Sequence, residues 1–208
     1  MKKSFSILEL IFVILLLSIL YTFLVPKSSN YKLDEFTNRL LIYLKEVRYQ
    51  ALIDNKYSLN DDLWFKKRWT LKFFRCRSNV GGIYFSIYSD ENKTGIPRSE
   101  DTLKDALTRK NIYSSNYCQE NEYNSKYVLL TKNYDINSIN LSCNNTTSLG
   151  QLSFGSDGRV YSKLGITSNE EFDYEITNIC KLKIISKNGD SREILISPKT
   201  GFSKFSKI

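Results

Sequence analysis

From Phe5 to Val25 the chain reads FSILELIFVILLLSILYTFLV, 21 residues in which Glu9 is the single charge. A helix rising about 1.5 Å per residue over such a run matches the hydrocarbon thickness of a bilayer, so a transmembrane helix is expected over residues 5–25. A cleaved secretory signal has a shorter apolar core ending in small residues, whereas this run ends Phe23-Leu24-Val25-Pro26-Lys27, and no removal after it is expected. Lys2 and Lys3 on one side and Lys27, Lys32 and Arg39 on the other leave its orientation open. A carboxylate inside an apolar segment costs about 2.5 kcal/mol or more unless it is paired, which makes Glu9 a functional candidate. The plain alternative is that Glu9 reaches water along its own stem.

The rest of the 208 residues suffices for one main core, not for two ordinary domains. Only 9 Gly and 3 Pro exclude a collagenous or low-complexity chain. With 14 Tyr, 12 Phe and 2 Trp, the composition favours a β-rich body, because aromatic side chains suit pleated, half-buried surfaces. The chain has no His, which removes Ser-His-Asp and Cys-His nucleophile systems, HExxH zinc sites and His-ligated iron. Cys76, Cys118, Cys143 and Cys180 lack CxxC spacing and read as structural, forming two disulfides if the body lies in an oxidising compartment. Four cysteines allow three pairings; taken by region, Cys76 goes with Cys118 and Cys143 with Cys180. The net charge of +8 fits either a solvated surface or a polyanion site.

Beyond Pro26, Phe36, Leu40, Leu44, Val47 and Ala51 make the stripe of an amphipathic helix over about residues 34–55, with Asp34 and Glu35 in the first turn, where the helix dipole favours them. From Trp69 the pattern becomes alternation broken by turn signals. Trp69 to Arg77 and Ile83 to Tyr88 flank Asn79-Val80-Gly81-Gly82, Leu152 to Phe154 and Val160 to Tyr161 flank Ser156-Asp157-Gly158, and Cys180 to Ile185 and Arg192 to Ile196 flank Asn188-Gly189. Each reads as a β-hairpin. The predicted fold class is α+β: a long N-terminal helix, with a transmembrane half over 5–25 and an amphipathic extension over 26–55, packed on an antiparallel sheet body over 56–208.

The residues Lys2-Lys3-Ser4-Phe5-Ser6-Ile7-Leu8-Glu9 resemble the class III signal of type IV prepilins and type II secretion pseudopilins: a short basic leader, a small residue, Phe, a hydroxyl residue, two aliphatics and Glu. The resemblance implies a leader of residues 1–4, cleavage by prepilin peptidase between Ser4 and Phe5, and N-methylation of Phe5. Glu9 and Pro26 then fall where the family carries its Glu and its helix-kinking Pro. The family's usual residue before the cut is Gly, and here it is Ser4. The motif also makes physical sense, since cutting before Phe5 creates a positive amine that a neighbouring subunit's Glu9 would pair with, favouring subunits in register.

Within that group the chain looks most like minor pseudopilins of the GspH/FimT type, through Glu46 to Leu52 followed by a Trp-containing strand, Leu152 to Arg159, and Ile194 to Gly201. A pilin-like fold is implied, with a minor subunit's role in a type II secretion pseudopilus or a type IV pilus. The implied placement is the inner membrane, single-pass, with the C-terminal body in the periplasm, from which the subunit is extracted into a filament. The implied partners are prepilin peptidase, other pilins or pseudopilins, the inner-membrane assembly platform and the lipid bilayer.

The C-terminal run supplies an alternative function. Lys199, Phe202, Lys204, Phe205 and Lys207 alternate cations with aromatics as DNA contacts can, which would suit a DNA-binding minor pilin of a transformation system; an exposed tail is the plain reading. Asp90, Asn92, Thr94 and Asp101 fall at ligand positions of a calcium loop, against the plain reading of an Asx-rich surface loop. No other cofactor is suggested. The carboxylate pairs Asp61-Asp62, Glu100-Asp101 and Glu170-Glu171 are adjacent in sequence and read as solvated, so no enzyme activity is expected.

Overall fold

A computed structural model of the chain describes residues 7–24 and 28–206. Two helices come first, α1 (Ile7–Leu24) and α2 (Ser28–Ile53). In α2 the stripe Phe36, Leu40, Leu44, Val47 and Ala51 is buried, joined by Leu33, Leu41 and Tyr43. That face touches strands of two sheets, both antiparallel, so one core forms between the helix and the sheet faces that meet it.

The first sheet runs β2-β1-β4-β5, from strands β1 (Trp69–Arg75), β2 (Ile83–Tyr88), β4 (Gln151–Phe154) and β5 (Val160–Tyr161). The second runs β3-β6-β7-β8, from β3 (Ile136–Leu141), β6 (Cys180–Ser186), β7 (Ser191–Ile196) and β8 (Ser203–Phe205). Hairpins join β1 to β2, β4 to β5 and β6 to β7. The β6–β7 turn shows why its sequence works: Gly189 takes φ +88°, which favours glycine, and the Ser186 amide donates to the Asp190 carbonyl to close it. A short helix α3 (Leu130–Tyr134) lies against β2 and β3.

Between β2 and α3 the chain runs for about 40 residues with only two short 3-10 turns, a length that needs fastening. Several fastenings hold it, among them backbone hydrogen bonds of Leu103 and Ile112 with Ile87 of β2, a disulfide and a buried carboxylate. A disulfide joins Cys76, just after β1, to Cys118 inside this connection. Asp105, 1% exposed, accepts hydrogen bonds from the hydroxyls of Tyr43 (2.7 Å) and Ser125 (2.9 Å) and from the amides of Leu107 and Thr108. The second disulfide, Cys143–Cys180, ties the end of β3 to the start of β6.

The predicted fold class needs correction. In place of one long helix, half of it membrane-spanning, on one sheet, the described residues form two successive N-terminal helices, the short α3 and two four-stranded sheets. Helix α1 has 18 residues and covers about 27 Å, short of the roughly 30 Å of a bilayer's hydrocarbon core. Among the described residues no helix is long and apolar enough to cross a membrane. That finding overturns the expected transmembrane helix, and with it the single-pass inner-membrane placement with a periplasmic body.

Candidate assembly surface

The sequence of α1 is apolar on every side, with no polar face to turn outward, and its side chains from Ile7 to Tyr21 are exposed. Leu8 is 78% exposed, Phe12 61% and Leu17 59%, so a continuous apolar surface stands uncovered in the single chain. A helix that is hydrophobic all round is stable when something covers it, and a patch of this kind marks an interaction surface. Glu9 lies in the first turn of α1, where the positive end of the helix dipole favours a carboxylate, and it is exposed. The other processing and assembly residues, Ser4, Phe5 and Pro26, lie outside the described residues.

The C-terminal residues do not form a tail. Ser203–Phe205 is strand β8, paired with β7 at the edge of the second sheet, so Lys204 stands opposite Leu195 and Phe205 opposite Ile194. Lys204 and Phe205 are both exposed, but as successive strand residues they leave on opposite faces. Lys199 and Phe202 are exposed in the turn between β7 and β8, and Lys207 lies outside the described residues. That turn is anchored to α2, since the Arg48 side chain donates to the Thr200 carbonyl.

Each residue of the calcium-loop pattern has a local engagement. Asp90 accepts the Gly95 amide, Asn92 accepts the Thr94 amide and hydroxyl, and Asp101 is held by the Arg98 guanidinium at 2.8 and 3.1 Å. Among the described residues, no three His, Cys, Asp or Glu side chains are grouped to hold a metal ion. Members of the adjacent carboxylate pairs are also engaged. Asp61 is held down to about 2 by hydrogen bonds from Lys93 and Lys67, and Glu170 is lowered by the amides of Ile166 and Thr167 that it caps.

Two cations escaped the sequence reading, Arg68, which is buried, and Lys72, which is half-buried. Arg68, 4% exposed, lies 3.8 Å from the centre of the Tyr161 ring and 4.9 Å from that of Trp64, donates to the Glu171 carbonyl, and has its proton affinity lowered by burial. Lys72 sits inside strand β1 between Leu71 and Phe73. For Lys72 the available signal was a cation set between Leu71 and Phe73 in the middle of a strand. Compared with known proteins, the chain matches no family model, no curated protein and no solved structure.

Proposed function

We propose that this chain is a pilin-type filament subunit: cut between Ser4 and Phe5 by a prepilin peptidase, it packs α1 among the equivalent helices of other subunits in a type II secretion pseudopilus or a type IV pilus. The observation that carries this reading is the uncovered apolar surface of α1, with a carboxylate in its first turn. Helices of the same kind from other subunits are a natural cover for such a surface, because apolar faces hide one another from water without any polar match. The same packing would bring the new amine of one subunit to Glu9 of the next. The resemblance of residues 2–9 to the prepilin signal supports the same reading. The two disulfides suit a body that holds its shape outside a reducing environment.

Glu9→Ala tests it. The change keeps α1 helical and apolar and removes the carboxylate. If an amine is buried against Glu9 in the assembly, deletion of one partner costs several kcal/mol, so the assembled fraction in sheared-filament preparations is expected to fall by tenfold or more. Equal amounts of filament from Glu9→Ala and the parent chain would remove the role assigned to Glu9.

A further inference from the structure

Strand β1 has two faces of different character. Leu71 and Phe73 point into the core with Phe85 and Ile87 of β2, while Thr70, Lys72 and Phe74 point the other way. On that second face Lys72 stands between Ser86 of β2 and Gln151 of β4, so the centre of the sheet is floored by a cation and neutral polar groups. The face is covered by three loops, around residues 90–95, 146–148 and 163–166. They enclose a pocket of about 370 Å³, at the small end of the roughly 300–1,000 Å³ usual for ligand sites.

Four lysines line it, Lys66, Lys72, Lys93 and Lys163, against one carboxylate, Asp90. Lys93 is tied to Asp61, and Lys163 rests 4.9 Å over the Tyr174 ring. Among the described residues the Lys72 ammonium contacts neutral groups, the Gly95 carbonyl at 3.3 Å and the Phe74 ring with its centre at 5.3 Å. Burial lowers its proton affinity, against an opposing pull from Asp90. A half-buried lysine without a contacting anion is costly, and a site that supplies the anion from outside removes that cost.

Asp90 adds an independent requirement. It is 5% exposed and its Oδ2 accepts the Gly95 amide, while Oδ1 is buried with no hydrogen-bond partner. An unpaired carboxylate oxygen needs a donor. A bare anion brings none and is repelled by Asp90; an ammonium would be repelled by the four lysines. A ligand that carries an anionic group and a neutral donor such as a hydroxyl would answer both features. Thr146, Thr147, Ser148 and Gln151 give the walls the neutral donors and acceptors that a polyhydroxylated molecule uses, and the one aromatic among the lining residues, Tyr88, is only 3% exposed and so presents little ring face for a nucleobase to stack on.

We propose that this pocket binds a phosphorylated sugar, with the phosphate on Lys72 and its neighbouring lysines and a ring hydroxyl donating to Asp90 Oδ1. The site lies on the sheet face away from α2 and is independent of the role given to α1. Titration calorimetry on the full chain, kept dispersed in mild detergent, would use the 6-phosphates of glucose, galactose, mannose and N-acetylglucosamine, with inorganic phosphate and glucose as controls. At least one sugar phosphate is expected to bind tenfold or more tightly than inorganic phosphate, and less tightly as salt rises. Lys72→Met and Lys163→Gln should each weaken it by tenfold or more, and Asp90→Asn should bring it down to the level of inorganic phosphate, with unfolding temperatures reporting that each variant is folded. Lack of binding by all four at millimolar concentration, or binding that the folded variants leave unchanged, would overturn the proposal. So would an affinity equal to that of inorganic phosphate, or an oligonucleotide that binds more tightly and depends on the same lysines.

Discussion

Asp105→Ala is expected to destabilise the fold by about 3 kcal/mol or more, read from urea unfolding of the full chain in detergent. Its carboxylate accepts the Tyr43 hydroxyl of helix α2, which fastens the long β2–α3 connection to that helix, and the Ser125 hydroxyl and the Leu107 and Thr108 amides, which hold the connection to itself; the two buried hydroxyls would be left with no acceptor. Tyr43→Phe removes one of those donors and the hydroxyl's contact with Arg39 but leaves the Asp105 carboxylate to its other donors, so its cost should be smaller, about 1–2 kcal/mol. The same site predicts a pH dependence. Burial opposes the charge of Asp105, but the hydrogen bonds from Tyr43, Ser125, Leu107 and Thr108 outweigh it and hold its carboxyl below the ordinary value. A depressed value in the folded state means that the contribution is complete above the unfolded carboxyl's value near 4 and is lost as the pH falls through the lower folded value. Asp105→Ala should therefore lose less stability on acidification than the parent does. A cost below about 1 kcal/mol, or an unchanged acid limb, would mean that the Cys76–Cys118 bridge and the backbone bonds of Leu103 and Ile112 to β2 hold the connection without Asp105.

Phe85→Ala should cost about 3–5 kcal/mol, the range for truncating an aromatic ring in a packed core. Phe85 is fully buried in β2, and its ring lies 6.4 Å from Phe36, 5.6 Å from Tyr43 and 6.2 Å from Phe73, so it is where helix α2 meets the first sheet. The hole cannot close without moving the helix. Phe202→Ala is the matched control: that ring is 51% exposed, and its loss should change stability by no more than about 0.5 kcal/mol. Comparable losses from the two substitutions would contradict the placement of the core.

The parts of the fold legible in the sequence are those encoded locally. The stripe from Phe36 to Ala51 marks a helix face because side chains three and four apart share a side, and Asn188-Gly189 marks a turn because glycine at its positive φ costs little. What was not legible depends on distant partners. Alternation identifies β1 and β4 as strands but does not say that β1 pairs with β4, nor that β6 and β7 belong to a different sheet. Strand β3 was missed because Asn137, Ser138 and Asn140 interrupt its apolar residues and its register shifts between Ile136 and Ser138, and β8 because three residues carry too little pattern. The length of the apolar run suggested a membrane span, yet the helix that forms covers 18 of its residues. The lysine pocket was invisible for a related reason: its floor is one residue from each of three strands, and its walls come from three separated loops.

The central claim is that the chain matures as a filament subunit, and intact-mass and N-terminal peptide mass spectrometry of the protein from cells with an active prepilin peptidase tests it most directly. The account predicts loss of residues 1–4 and a mature chain that begins at Phe5 with a methylated amine. Recovery of the chain with Met1 to Ser4 still attached, from cells that process other prepilins, would contradict it.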